Sequence, residues 1–390
     1  MAEINDGHGV KPIAFYLPQY HSIPENDEHW GKGFTEWSNV KKASPLFKGH
    51  NQPRVPLNNN YYNLLDDKTK IWQANLAKQY DIFGFCYYHY WFKNGKQLLE
   101  KPAEQMLKNK DINIPFCFSW ANENWSKNWD GGNREIIVEQ DYGSCDDWEK
   151  HLEYLIPFFK DERYITLNGN PIFIIYKPEL IPDLDKMLTF WNKKIKDFGF
   201  NRICFMIQHY GWFFDPSYDP SSFDFQIEFE PHFSVVYQRR NIYFTKMFQK
   251  LYQFMNMIFK KGGDSIVKLF NMLKKAKHEV KPISKQLTIY DYSKTWSNIL
   301  HVKDDPFLLR GCFCDWDNTP RNKNGFVFQG ANSKLFKDNF CKLVGHVNPT
   351  CPVIFINAWN EWGEGAYLEP DELNRYGYLE AIHEVITKVV

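Results

Sequence analysis

The chain of 390 residues lacks net charge, its 47 Lys and Arg balancing 47 Asp and Glu. Without a basic excess there is no bulk attraction to nucleic acid, and none is expected as a partner. The chain also lacks any run of the roughly 18 apolar residues that a bilayer span requires. The opening "MAEINDGHGVKPIAFYLPQY" has no basic stretch followed by an apolar one, so no secretory signal is expected. There is no HExxH, no CxxC pair, no P-loop and no GxSxG elbow, which removes the marks of several common metal, nucleotide and acyl-transfer chemistries. The eight cysteines do not have small-domain disulfide spacing, and Cys86, Cys117, Cys204, Cys312, Cys314 and Cys351 sit in apolar runs. A reduced Cys there behaves as a small hydrophobe, and a cytoplasmic protein is the expectation.

What is abundant is aromatic surface, at 18% of residues with 14 Trp, 22 Tyr and 33 Phe. Such faces fill cores, and they also stack on flat ligands such as bases and sugar rings. Short, nearly continuous apolar runs recur at Ile13–Tyr20, Phe83–Trp91, Ile114–Trp120, Pro171–Tyr176, Ile203–His209, Phe223–Phe229, Gly311–Trp316 and Pro352–Trp359. Continuous hydrophobicity is the pattern of strands covered on both faces. Between most of them lie helical patterns, near 66–80, 94–109, 146–158, 331–345 and 371–389. The clearest runs from Asp183 to Phe198, with Leu184, Leu188, Trp191, Ile195 and Phe198 on one face, Asp183 as N-cap and Gly199 as stop. The segment "GWFFDPSYDPSS" after the fifth run is too short and Pro-rich for a helix. Eight strands alternating with helices predict an α/β fold, a (β/α)₈ barrel forming one catalytic domain over 1–390. A doubly wound sheet is the competitor, but its Gly-rich first turn is missing.

Catalytic groups of such barrels stand at the C-terminal strand ends. There the chain places Gln19, Tyr20 and His21; Tyr88, His89, Tyr90 and Trp91; Trp120, Asn122, Glu123, Asn124 and Trp125; Tyr176 and Lys177; and Gln208 and His209. Later ends carry Glu228, Glu230 and His232, then Asp315, Asp317, Asn318 and Arg321, and finally "WNEWGEG", with Trp359, Asn360, Glu361, Trp362 and Glu364. Making or breaking a glycosidic bond needs an acid for the leaving oxygen and a second carboxylate as base or nucleophile, with their pKa values pushed apart. Glu361 and Glu364 have this chemistry, Gly363 lets both face one cleft, and Trp359 and Trp362 supply apolar walls or a sugar platform. Glu36, Glu123 and Glu230 are reserve carboxylates. The four strand-end histidines, His21, His89, His209 and His232, are read as hydrogen-bonding groups, with no metal and no cofactor expected. The spelling "DWD" at Asp315–Asp317 matches the pair used by metal-dependent sugar-nucleotide transferases, which keeps that chemistry as an alternative. A non-catalytic glycan-binding barrel is the other.

One segment breaks the rhythm. From Arg239 to Lys281 there are eleven Lys or Arg against Asp264 and Glu279. It reads as two amphipathic basic helices, a helical insertion over 233–300 after the sixth strand. Either its apolar face packs on the barrel, or it touches a partner or the inner face of a membrane.

"NEWGEG" followed by "YLEP" resembles the signature of the endo-α-mannosidase family of glycoside hydrolases, family 99. The whole chain, through "FYLPQYHSIPENDEHWGKGFTEWSNV", "GFCYYHYWF" and "FSWANENW", resembles the related bacterial WbsX-type glycosyltransferases of O-antigen and capsule clusters. The resemblance implies a (β/α)₈ barrel, an oligo- or polysaccharide substrate, retention of configuration and no metal for the chemistry. By motif it implies Glu361 as base on a sugar 2-hydroxyl, giving a 1,2-anhydro sugar, and Glu364 as acid/base at the leaving oxygen. Gly363 stands where the mannosidases commonly carry His.

Overall fold

A computed structural model describes the chain except for residue 8 and residues 128–134, 211–219, 236–285 and 390. Eight strands form the barrel: β1 (Lys11–Tyr16), β2 (Gly84–Trp91), β3 (Phe116–Trp120), β4 (Asn170–Ile175), β5 (Cys204–His209), β6 (Phe225–Glu228), β7 (Leu308–Phe313) and β8 (Val353–Asn357). Each pairs in parallel with its successor, and β8 closes on β1 with Phe355 opposite Ile13. All eight expected strands are present, each shifted by a few residues at its ends. The apolar runs of β1, β4, β6, β7 and β8 overrun their strands at the C-terminal side because the residues beyond the last ladder bond turn into the loops of the barrel mouth.

The outer layer consists of α1 (Asp67–Gln79), α2 (Lys101–Lys108), α3 (Cys145–Phe159), α4 (Leu184–Lys194), α5 (Tyr292–Leu300), α6 (Ser333–Val344) and α7 (Gly377–Val389). Local chemistry sets their ends. The Asp66 side chain accepts the Lys68 N–H to start α1, and Asn332 accepts the Leu335 N–H to start α6. Asp183 precedes α4 as expected, but its carboxylate accepts from the Lys186 ammonium at 2.7 Å rather than from a backbone N–H. The chain leaves the following 3₁₀ turn through Gly199 at φ 94°, a conformation that favours glycine. Between β5 and β6 the described residues hold only a 3₁₀ turn at Pro220–Ser222.

Most of the segment expected as a basic helical insertion, residues 236–285, lies outside the described residues. Its C-terminal part, α5, is the barrel helix between β6 and β7, where Trp296 stacks on Phe313 with ring centres 6.2 Å apart. No helix among the described residues is long and apolar enough to cross a membrane.

Side chains alternate in and out along each strand. Inside, Phe15 meets Tyr88, Phe229 and Phe355 at 5.3–5.8 Å, an aromatic plug beneath the barrel mouth. The wall between β6 and β7 is close enough that only glycine fits at 311. A Cβ there would lie 1.8 Å from the Glu228 carbonyl oxygen. Gly311→Ala must therefore push two strands apart, and a loss of about 3 kcal/mol of stability is expected from overpacking. Urea unfolding measures it; an unchanged midpoint would contradict this packing.

Candidate active site

At the C-terminal mouth of the barrel, loops after β1, β7 and β8 bring three carboxylates to one guanidinium. Arg321 faces Glu36 through Nε at 3.0 Å, Glu361 through Nη2 at 3.1 Å and Glu364 through Nη1 at 2.7 Å. Glu36 begins the short helix Glu36–Lys42, and Glu361, Trp362 and Glu364 lie in the turn that follows β8. The arrangement follows from barrel order, because β7, β8 and β1 are neighbours.

The cluster opens into a cleft of about 280 Å³ whose lining includes Tyr88, Tyr90, Glu123, Trp125, Tyr176 and Tyr210 around Arg321, Glu361 and Glu364. A second lobe of about 410 Å³ shares Tyr176, Tyr210 and His232 with the first and adds Lys177, Gln208 and His209. Tyrosines on both sides present flat apolar faces with polar tips, a lining suited to sugar rings. Gln208 sits between Ser119 at 2.8 Å and the Tyr88 hydroxyl at 3.2 Å. Lys177 pairs with Glu123 at the rim.

Three carboxylates and one guanidinium cannot all be charged without leaving excess negative charge out of water. Burial, and then the negative charge of Glu364 and Glu36, push the Glu361 carboxyl up to about 8 against the pull of Arg321. Burial likewise raises Glu364, again opposed by Arg321. Acid–base catalysis at a leaving oxygen and a hydroxyl needs one of the pair protonated and the other ionised, and carboxyls raised above their ordinary range by burial are suited to exchanging protons in this way.

The other expected residues have different places. Tyr88 and Tyr90 point into the cleft, so His89 and Trp91, one residue out of phase, point outward to α3. There His89 Nε2 meets His151 Nε2 at 2.8 Å, and Trp91 stacks on the same imidazole at 4.6 Å. Trp120 also turns outward, donating to the Trp91 carbonyl at 3.1 Å. These three belong to the strand–helix core rather than the cleft. Trp359 is buried against Phe85 in the same outer layer, at 4.9 Å.

Tyr20, Asn360 and Trp362 brace the carboxylate turn from behind. The Tyr20 hydroxyl donates to the Asn360 carbonyl at 2.6 Å and accepts the Trp362 N–H, while Asn360 bonds both backbone groups of Leu17. The Trp362 indole donates to Glu369 at 2.7 Å and stacks on Tyr367. Asn122 ties Lys177 through its backbone N–H and carbonyl. His21 is buried near Lys70 and Lys101, where burial lowers its pKa to about 4. Glu228 is paired with Arg310 at 3.2 Å, and Glu230 accepts from Ser234 at 2.6 Å.

The "DWD" carboxylates are likewise committed. Asp315 pairs with Arg54 at 2.8 Å, and Asp317 accepts from His50, Gln52 and Thr319. With these partners neither presents the open pair that a metal–nucleotide complex would take.

Tyr210, Asn322 and Arg321 also line the cleft, and no motif in the sequence marks them for it. A lone arginine in an Asp- and Asn-rich loop after β7 was the available signal for Arg321. Tyr210 follows the last residue of its strand, and nothing local marks it.

The family model described as glycosyltransferase WbsX matches residues 12–382. An uncharacterized protein WxcX of Xanthomonas campestris pv. campestris is 33% identical over 384 residues, covering 96% of this chain and 49% of the relative. The chain thus spans about half the length of the curated relatives it matches. Among solved structures, the GH99 endo-α-mannosidase of Bacteroides thetaiotaomicron aligns with a TM-score of 0.54 at 12% identity over 97% of each chain. A glycoside hydrolase-like protein aligns with a TM-score of 0.55 at 13% identity, over 97% of this chain and 94% of that one. At such identities the likeness establishes the (β/α)₈ fold.

The buried acids make stability depend on pH. Burial raises Glu361 to about 8, Glu230 to about 7 and Glu369 to about 7. The fold therefore keeps protons that the unfolded chain has released, a contribution full below the ordinary carboxylate range and lost as pH rises through 7 to 8. Burial lowers His89 and His232 to about 3, which costs stability as pH falls below the usual imidazole range. Above the ordinary imidazole range only the acids still act, so the urea midpoint is expected to fall between about pH 6.5 and about pH 8. A midpoint still climbing at the alkaline end would contradict it.

Proposed function

The chain belongs to the WbsX glycosyltransferase family, and we propose that it is a carbohydrate-active enzyme that makes or breaks a glycosidic bond in bacterial surface polysaccharide, with Glu361 and Glu364 as its catalytic pair. The observation that carries this reading is the pair itself, held by Arg321 in a tyrosine-lined cleft at the barrel mouth.

In the first step Glu361 takes the proton of the sugar 2-hydroxyl as O2 attacks C1, closing a 1,2-anhydro ring. The bond from C1 to the leaving oxygen breaks, and Glu364 gives that oxygen its proton. In the second step an incoming hydroxyl attacks C1 and loses its proton to Glu364, the C1–O2 bond of the anhydro ring breaks, and O2 recovers a proton from Glu361. Two inversions at C1 give net retention. Water as the incoming group makes the reaction hydrolysis; a sugar hydroxyl makes it transfer. The raised Glu361 carboxyl supports the base role, since a base of high pKa is matched to a weakly acidic hydroxyl. The substrate is an oligo- or polysaccharide, and the tyrosine faces support stacking on its rings. We place the reaction in the cytoplasm; all eight cysteines are unpaired, and six of them are buried.

Glu361→Gln and Glu364→Gln are each expected to lower kcat by roughly 10²-fold or more while the glycan still binds. The assay screens α-mannosides and oligosaccharides cut from the host's own surface polysaccharide, with the product's anomeric configuration read by ¹H NMR. Retained configuration is expected. Full activity in both variants would instead place the chemistry elsewhere, and glycan binding with no turnover by the wild type would favour a non-catalytic glycan-binding barrel.

A further inference from the structure

Arg321 is the one cation seen to contact both proposed catalytic acids among the described residues, and its surroundings are built rather than incidental. Its side chain is nearly enclosed, as are those of Glu36 and Glu361. The guanidinium and Glu36 run beside the turn at Gly363. A Cβ at 363 would stand 2.4 Å from Glu36 Oε2 and 2.8 Å from Arg321 Nε, so the missing side chain is the space that the ion pair uses. Glycine here leaves room for charge. Two further groups orient the same turn: Tyr20 from behind and the Trp362–Glu369 bond below.

We propose that Arg321, anchored by Glu36 in the space left by Gly363, is a positioning residue that fixes the separation and the charge balance of Glu361 and Glu364. The proposal rests on the catalytic reading of that pair. A planar fork can bind two carboxylates at once only from fixed directions. Nη1 and Nη2 therefore set where each carboxylate points, while the Glu36 contact at Nε stops the fork from swinging toward one of them. The charge has a second effect. The cation favours ionisation of Glu361, and the Glu36 anion opposes it. The other titratable groups facing the cluster are Tyr20, Tyr88, Tyr90, Tyr176 and Tyr210, whose hydroxyl protons burial holds, His232, which burial keeps neutral, and Glu123, which is paired with Lys177 across the cleft. So, beside burial and the charge of Glu364, Arg321 and Glu36 are the opposing charges that shift the pH at which the proposed base is free to act.

Opposite charges must then give opposite shifts, which a merely structural role would not. The test follows the ionisation of Glu361 in the full chain, by ¹³C NMR of glutamate-labelled protein with Glu361→Gln assigning the resonance. The pH profile of kcat is measured alongside. Arg321→Gln is expected to move the Glu361 titration and the matching limb of the profile up by about one pH unit or more, a tenfold change in proton affinity. Glu36→Gln is expected to move both down. Arg321→Lys keeps the charge without the fork, so the titration should return toward wild type while kcat stays reduced about tenfold or more at nearly unchanged KM. If neither Arg321→Gln nor Glu36→Gln moves the Glu361 titration, or both move it the same way, the proposal is overturned. Should Arg321→Gln fail to fold, the Glu36→Gln titration decides alone: a downward shift supports the proposal, and no shift overturns it. Full activity in Glu361→Gln and Glu364→Gln would sink the catalytic reading while leaving the NMR shifts to report on Arg321 separately.

Discussion

Three carboxylates share one guanidinium out of water at the mouth of the barrel, and that balance sets the demands on the surrounding fold. Glu36, Arg321 and the Glu361–Glu364 turn arrive from three different loops, so the strands beneath them must be neighbours in the right order. Closure of β8 onto β1, with β7 on the other side, meets that demand. The turn holding Glu361 and Glu364 must also be rigid, since a carboxylate free to swing would return to water. Tyr20, Asn360 and Glu369 supply the bonds that hold it, and none of the three needs to touch a substrate to be required.

The aromatic excess has two separate destinations, set by the two-residue period of a strand. Tyr88, Tyr90, Tyr176 and Tyr210 line the cleft. Trp91, Trp120, Phe173 and Trp191 surround His151 between strands and helices. The outer set gives the barrel a dense coat. The inner set gives the cleft walls of low polarity, and it is this lack of water that raises the acids above their ordinary range. The same burial that strengthens the fold thus sets the acid–base character of the mouth.

The family match covers nearly the whole chain, whereas the likeness to the mannosidase structures is one of architecture at low identity. The site therefore has to be understood from its own residues. Its most individual feature is the passage of Arg321 and Glu36 past Gly363, an arrangement made possible by an absent side chain.

The eight strands, most of the helices between them and the acidic turn at Glu361–Glu364 are readable from the order of amino acids, because apolar runs, caps and a compact motif are local signals; α5, hidden at the end of the basic segment, is not. The division of the strand-end residues is not. His89 and Tyr88 are adjacent and both polar-tipped, and only the pleat of the closed barrel sends one to α3 and the other to the cleft. Asp315 and Asp317 read like ligands until Arg54 and His50, some 260 residues earlier, are seen to hold them. Arg321 gains its meaning from Glu36 and Glu361, partners 285 and 40 residues away in the chain. Partnership between distant charges is a matter of spatial proximity, and proximity exists only once the barrel has closed.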